Sequence, residues 1–398
     1  MNRLLPAFLL SVSAAFMLSS CNKTKITQSP VETALDSIFT SMFAPDEPGA
    51  IVLVAKGDSI IYDKGFGLAD LEKHRPMSDT TLVNICSISK QFSAMALLLL
   101  EERGALSLND TLPKYFPEFK APFFKDITLR HLLSHTSGIP DTRPRTETEW
   151  KKYLENHTSR FGSVHDYKLY APTVESIEYL TTLDSLAFTP GTAYEYQNPT
   201  FQLAKPIVEI VTGQEFAAWM KQNIFIPAGM HRTFFFDPSR EMPQGMAHAY
   251  IPAQGDNKYN YFRSKDGKWE ESDYGEAYFF PTQADGGIYT TAKEFLNWEK
   301  ALFGNKIITK ESLAKATEPI IETDIPETSY GLGLFIEQKP GMPRKVFHTG
   351  DNGGFFTFEC YFPEQDLFYL VFANRNDWSR EKTMEQMDSI FNTAGLLR

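Results

Sequence analysis

Cysteine is scarce in this chain of 398 residues: three occur, Cys21, Cys86 and Cys360. So few cannot form a disulfide-built scaffold. Whether Cys86 and Cys360 share a bridge stays open, because pairing depends on how closely their Cβ atoms approach. Positive charge is also short, with 39 Lys and Arg against 50 Asp and Glu and a net charge of −11. That balance argues against a nucleic-acid partner, which would need a basic face. No Gly-rich phosphate loop or dinucleotide fingerprint occurs, and no cofactor is expected. His131 and His135 are four apart, yet no glutamate lies between them and no third ligand stands out. The pair is read as structural, with no metal expected. Gly57-Asp58-Ser59 lacks the second glycine of a nucleophile elbow and reads as a hairpin turn.

The apolar stretch from Leu4 to Leu18 is too short for a membrane span and follows the positive Arg3, as in a secretory signal. Leu18-Ser19-Ser20-Cys21 has the form of a bacterial lipobox, in which cysteine is acylated after cleavage. The alternative is an ordinary signal that happens to end near a cysteine, but a small-residue pair directly before Cys is a demanding pattern. The expectation is a signal peptide over 1–20 and lipidation of Cys21. Acyl chains there would hold the protein on a membrane of the bacterial envelope, facing the periplasm or the outer membrane. Residues 21–45 are read as anchor and tether leading into an opening helix. The domain proper is expected over 46–398, where 42% hydrophobic content supports a sizeable core.

Ala50 to Lys56 and Ile60 to Phe66 read as paired strands. Lys345 to Thr349, Phe355 to Phe362 and Leu367 to Ala373 are rich in aromatic and branched residues and also read as strands. Met384, Met387, Ile390 and Phe391 then recur at helical spacing. Strands at both ends imply one antiparallel sheet, from about 46–75 and 330–398, flanked by helices. The middle, about 105–285, is expected to be a mostly helical subdomain. Two segments stand apart. Residues 141–171 are polar, and 252–280 mix aromatics with Gly, Asp and Asn; either they rim a cleft or they form a surface excursion and a hairpin.

Ser87-Ile88-Ser89-Lys90 opens a helical pattern carried by Phe92, Met95, Ala96, Leu99 and Leu100, with Gly104 as its stop. Ser87 could be a helix N-cap. A capping box, however, wants Glu or Gln where Lys90 stands. A cation in the first turn faces the positive end of the helix dipole. That field, with burial, favours the neutral amine that a general base requires. Residues three apart share a helix face, so the amine can reach the hydroxyl. Ser-x-x-Lys occurs four times, starting at Ser20, Ser87, Ser312 and Ser379. The last two fall in charged helices expected at the surface, and only the match at Ser87 begins a strongly apolar helix.

Tyr196-Gln197-Asn198 and His348-Thr349-Gly350 complete the set. In this order the three signatures resemble those of the penicillin-recognising serine hydrolases, in the branch of class C β-lactamases, D-Ala-D-Ala carboxypeptidases and related esterases. His135-Thr136-Ser137-Gly138-Ile139-Pro140, Gly286-Gly287-Ile288-Tyr289 and Tyr330-Gly331-Leu332-Gly333-Leu334 support the resemblance, which covers roughly residues 45–395. It implies a β-lactamase/transpeptidase-like α+β fold. Ser87 would be the acylated nucleophile, Lys90 its partner, and Tyr196 would share the base role. Asn198 would bind substrate, and His348, Thr349 and Gly350 would flank the cleft. The backbone N–H groups of Ser87 and Asp351 would form the oxyanion hole. Familiar class C enzymes carry Lys and Ser where this chain has His348 and Gln197, which shifts weight from antibiotics towards an ester or a D-amino-acid-containing peptide. A β-lactamase is the alternative. A catalytically silent, lipid-anchored binding protein on the same fold is a third reading. Asp351 would repel an anionic substrate if it pointed inwards and is expected to turn outwards.

Overall fold

The computed structural model describes residues 28–140, 177–178, 180–236, 243–253, 263–271 and 283–398. Its centre is a sheet of eight antiparallel strands. In chain order they are β1 (Ala50–Lys56), β2 (Ser59–Phe66), β3 (Ile321–Glu322), β4 (Thr328–Tyr330), β5 (Phe335–Glu337), β6 (Lys345–Asn352), β7 (Phe355–Phe362) and β8 (Leu367–Ala373). They lie side by side as β3-β4-β5-β6-β7-β8-β1-β2. The two ends of the chain therefore meet in mid-sheet, where β1 pairs with β8 from Ala50↔Ala373 to Lys56↔Leu367. Both strands are near-continuous apolar runs because both faces of the sheet are covered.

Alternation along these strands divides the core. Ile51, Leu53, Phe368, Leu370 and Phe372 pack towards helix α2 (Ser89–Glu102) and the helix Ala292–Phe303, numbered α4 here. Helix α3 (Ala204–Thr212) packs against α2 from the helical subdomain. Val52, Val54, Tyr369 and Val371 face the other way, onto Leu35 and Phe39 of α1 (Pro30–Met42) and Met384, Met387 and Phe391 of α5 (Arg380–Thr393). Each large side chain buried this way contributes about 1.5–3 kcal/mol. Helix α2 is more deeply placed than an amphipathic helix. All residues from Ser89 to Leu100 are buried, as expected for a helix apolar all round, and Gly104 beyond its end takes φ +68°.

The fold matches the expected antiparallel sheet with flanking helices, and two boundaries move. Residues 30–42, counted with the tether, belong to the domain, since Leu35 and Phe39 have no exposed surface. A Ser29/Glu32 capping box with Pro30 in the first turn starts that helix. The sheet gains β3 and β4 ahead of residue 330. At the segment 252–280, Tyr250–Pro252 pairs antiparallel with Trp269–Glu271; residues 254–262 and 272–280, like 141–171 and Cys21, lie outside the described residues.

Candidate active site

The strand Val83–Asn84 delivers the chain to a 3-10 turn, Cys86–Ile88, that runs directly into α2. Cys86 is buried in a left-handed conformation, φ +53°, a strain of order 1–3 kcal/mol for a residue with a Cβ. Asn84 Oδ1 accepts the Cys86 N–H at 2.8 Å and holds the bend. No side chain caps α2, so the Ser87 hydroxyl is not spent as an N-cap. Ser89 Oγ has a structural task, accepting the N–H of Ile288 at 3.3 Å.

Lys90 has no exposed surface. Its Nζ lies 3.0 Å from Ser87 Oγ, 2.5 Å from Asn198 Oδ1 and 2.8 Å from the carbonyl of Asp285. The amine also sits 5.0 Å from the ring centroid of Tyr196. Two remote segments, Tyr196–Asn198 and Asp285, thus converge on the first turn of one helix. Asn198 is placed by the short helix Asn198–Gln202, which it opens with Pro199 behind it. Tyr196 leans on His135, with ring centroids 4.2 Å apart. His135 Nδ1 accepts the N–H of Gln197 at 2.9 Å, and its own backbone is left-handed, φ +57°. Burial holds the His135 ring well below the usual imidazole pKa. His135 is therefore a neutral prop for the Tyr196 segment. His131 does different work four residues earlier: its Nδ1 accepts the N–H of Thr128 at 3.3 Å, closing a capping box.

The opposite wall is β6. His348 has no exposed surface; its Nδ1 lies 2.7 Å from the carbonyl of Thr349, and its Nε2 lies 3.1 Å from Tyr330 Oη. A carbonyl only accepts, so Nδ1 carries the hydrogen and Nε2 accepts from Tyr330. Burial, with Lys90 nearby, pushes His348 down to about 3, so the ring is neutral. Thr349 is partly exposed and Asp351 exposed. Desolvation raises the Asp351 pKa and Arg380 lowers it.

Gly350 brings β6 against the nucleophile turn. A Cβ there would stand 2.4 Å from the carbonyl of Ile85 and 2.9 Å from Cys86 Cβ. The Gly350 carbonyl accepts from Arg380 Nη1 at 3.1 Å. No peptide in the described chain is cis, so the Asp351 N–H, in the same planar unit, points away from Arg380. Gly333, at φ +74°, is a second close approach: a Cβ would come within 3.0 Å of the Lys90 carbonyl.

The sequence reading missed His135, Asp285, Tyr330 and Arg380 as site-shaping residues. Asp285 acts through its carbonyl and Arg380 through a backbone contact, neither of which leaves a side-chain pattern, whereas the motifs containing His135 and Tyr330 were visible. The other Ser-x-x-Lys matches have structural roles. Ser379 caps α5 through the Lys382 N–H. Ser312 is buried, against the surface position expected, because Lys310–Ala316 is amphipathic. Cys86 and Cys360 are both buried free thiols.

A beta-lactamase family model matches residues 35–388. Penicillin-binding protein 4* of Bacillus subtilis is 27% identical over 346 residues, spanning 86% of this chain and 72% of that protein. The octameric penicillin-binding protein homologue from Pyrococcus abyssi superposes with a TM-score of 0.75 at 26% identity, covering 93% of this chain and 78% of that one. A class C beta-lactamase shares the fold with a TM-score of 0.69 at 18% identity, over 93% of this chain and 98% of its own. With its family signature running almost from end to end, this chain belongs to the beta-lactamase family of serine hydrolases.

Proposed function

We propose that the protein cleaves an ester or a D-amino-acid-containing peptide through an acyl-enzyme on Ser87, with Lys90 and Tyr196 as the base. The observation that carries this reading is the set of partners around Lys90. Asn198 Oδ1 and the Asp285 carbonyl are acceptors. A neutral amine has two N–H bonds for them and one lone pair, which then faces Ser87 Oγ at 3.0 Å. That is the arrangement in which lysine takes the hydroxyl proton as oxygen attacks a carbonyl. Tyr196, beside the amine, would relay the proton to the leaving group. The N–H groups of Ser87 and Asp351 would hold the oxyanion, each such donor being worth about 3 kcal/mol. Asn198 and Thr349 would engage the substrate's polar groups.

The neutral, buried His348 favours an ester or peptide over a β-lactam, because the strand residue offers no cation to a substrate carboxylate. The proposal places the enzyme at the bacterial envelope, tethered to a membrane by lipidated Cys21 and acting on a small-molecule or peptide acyl donor.

The test is the intact mass of residues 22–398 after incubation with activated short-chain esters and, separately, a penicillin. Ser87→Ala and Lys90→Ala variants run beside it. Ester turnover or an adduct that vanishes in both variants supports the reading. A penicillin adduct that hydrolyses rapidly would favour the β-lactamase alternative. No adduct with any donor would leave the silent binding protein.

A further inference from the structure

The peptide that joins Gly350 to Asp351 would supply one oxyanion donor, and its other end is held by a cation. Past Phe347, β5 no longer pairs with β6, which leaves that edge of β6 free to face the cleft. The Gly350 carbonyl points the other way. It lies 3.5 Å from Thr357 Oγ1 of β7 and accepts from Arg380 Nη1 at 3.1 Å. In a trans peptide the carbonyl and the following N–H point in opposite directions, so the Asp351 N–H meets the cleft edge.

Arg380 stands where elementary electrostatics disfavours it. It is the first residue of α5, at the positive end of the helix dipole. Among the described residues the carboxylate paired with it is that of Glu381, at 3.3 Å, 69% exposed and screened by water, whereas the Arg380 side chain is 15% exposed. Its guanidinium carbon lies 4.2 Å from the centroid of the Phe356 ring, which Trp378 meets edge-on at 5.3 Å. Phe356 is the cross-strand partner of Asp351, so the guanidinium and the Asp351 side chain share one face of the sheet. Helix α5 is also pinned to β6, because Asp388 accepts from the buried Lys345 at 2.8 Å. The reach from helix to carbonyl is thereby fixed.

We propose that Arg380 is a positioning residue that strengthens the oxyanion hole from behind: its guanidinium polarises the Gly350–Asp351 peptide and offsets the Asp351 carboxylate. This rests on the hydrolase reading above. A carbonyl that accepts from a cation draws density from its own amide nitrogen, and the N–H on that nitrogen becomes a better donor. The chain has reason for such a device. A carboxylate on the residue that supplies the N–H opposes the negative charge developing in the transition state. Burial raises the Asp351 pKa and Arg380 works against that rise, as two attracting charges must.

The experiment acylates Ser87 with an activated ester isotope-labelled at its carbonyl. The infrared stretch of that carbonyl is read in the acyl-enzymes of the wild type, Arg380→Met and Arg380→Lys, beside single-turnover and steady-state rates. Methionine keeps an unbranched stem over Phe356 and removes the charge; lysine keeps the charge. Arg380→Met should move the band to higher frequency and lower kcat about three- to tenfold, with KM little changed. Arg380→Lys should leave the band near its wild-type position and the rate within about twofold. A residue that merely ties α5 to the sheet would slow both variants alike or leave the band in place. Either result, in proteins that melt cooperatively, would overturn the proposal. Should Arg380→Met not fold, Arg380→Gln carries the same test, and an unshifted band there would overturn it equally. A wild type that forms no Ser87 adduct would overturn the hydrolase reading instead, whereas an adduct whose carbonyl ignores the Arg380 charge would overturn this inference alone.

Discussion

Replacing Gly350 by alanine should disable catalysis by a route that bypasses every polar group of the site. The added methyl would stand 2.4 Å from the Ile85 carbonyl and 2.4 Å from Thr357 Oγ1. Ordinary contact begins near 3.4 Å, so β6 and the nucleophile turn must part by about 1 Å. Neither neighbour yields easily. Ile85 O is backbone leading into the strained Cys86, and Thr357 is fully buried. Overpacking of this kind costs about 1–3 kcal/mol of stability, which the domain can tolerate. The rate has less latitude, because the displaced strand carries the Asp351 N–H. Losing one oxyanion donor slows such reactions about 10²–10³-fold. The assay is single-turnover acylation of Ser87, with calorimetry to confirm a cooperative transition. A folded Gly350→Ala protein that acylates within about threefold of the wild type would refute both the oxyanion assignment and the packing argument.

Three further outcomes follow from the geometry. The depressed pKa of His348 means the unfolded state takes up its proton first as pH falls. Stability from this residue is therefore complete above about 6.5 and drains away towards about 3. Melting temperatures of His348→Gln should vary less steeply over that window, and unchanged slopes would count against it. Burial raises both Cys86 and Cys360 thiols; in residues 22–398 they should resist iodoacetamide until denaturant is added, with identical labelling with or without reductant. Phe39→Ala, in a helix first counted with the tether, should cost about 3–5 kcal/mol by equilibrium unfolding. A loss near zero would show α1 to be dispensable.

The long strands and α2 were legible because each has a pattern with one physical source. Two-sided burial makes β1 and β8 apolar throughout, and a serine and a lysine three apart must share a helix face. Other features had no such pattern. Strands β3 to β5 span two or three residues each, too few to show alternation. Helix α1 was underestimated although Ser29, Pro30 and Glu32 spelled out its start. His135 was read only as structural, since its left-handed backbone and its stacking on Tyr196 arise only in three dimensions.

The partners of Lys90 also bear on when the site comes into existence. Ser87 is three residues away, but Asn198 and Asp285 are 108 and 195 residues distant. Gly350 reaches the same turn from the last sixth of the chain. A partly assembled molecule can wind α2 and still lack the acceptors that orient the amine, so its serine is chemically ordinary. Contacts of such long range close late and slowly. Hydrolysis is then a property of the finished chain alone, and its return during refolding is a more exacting clock than recovered helix content.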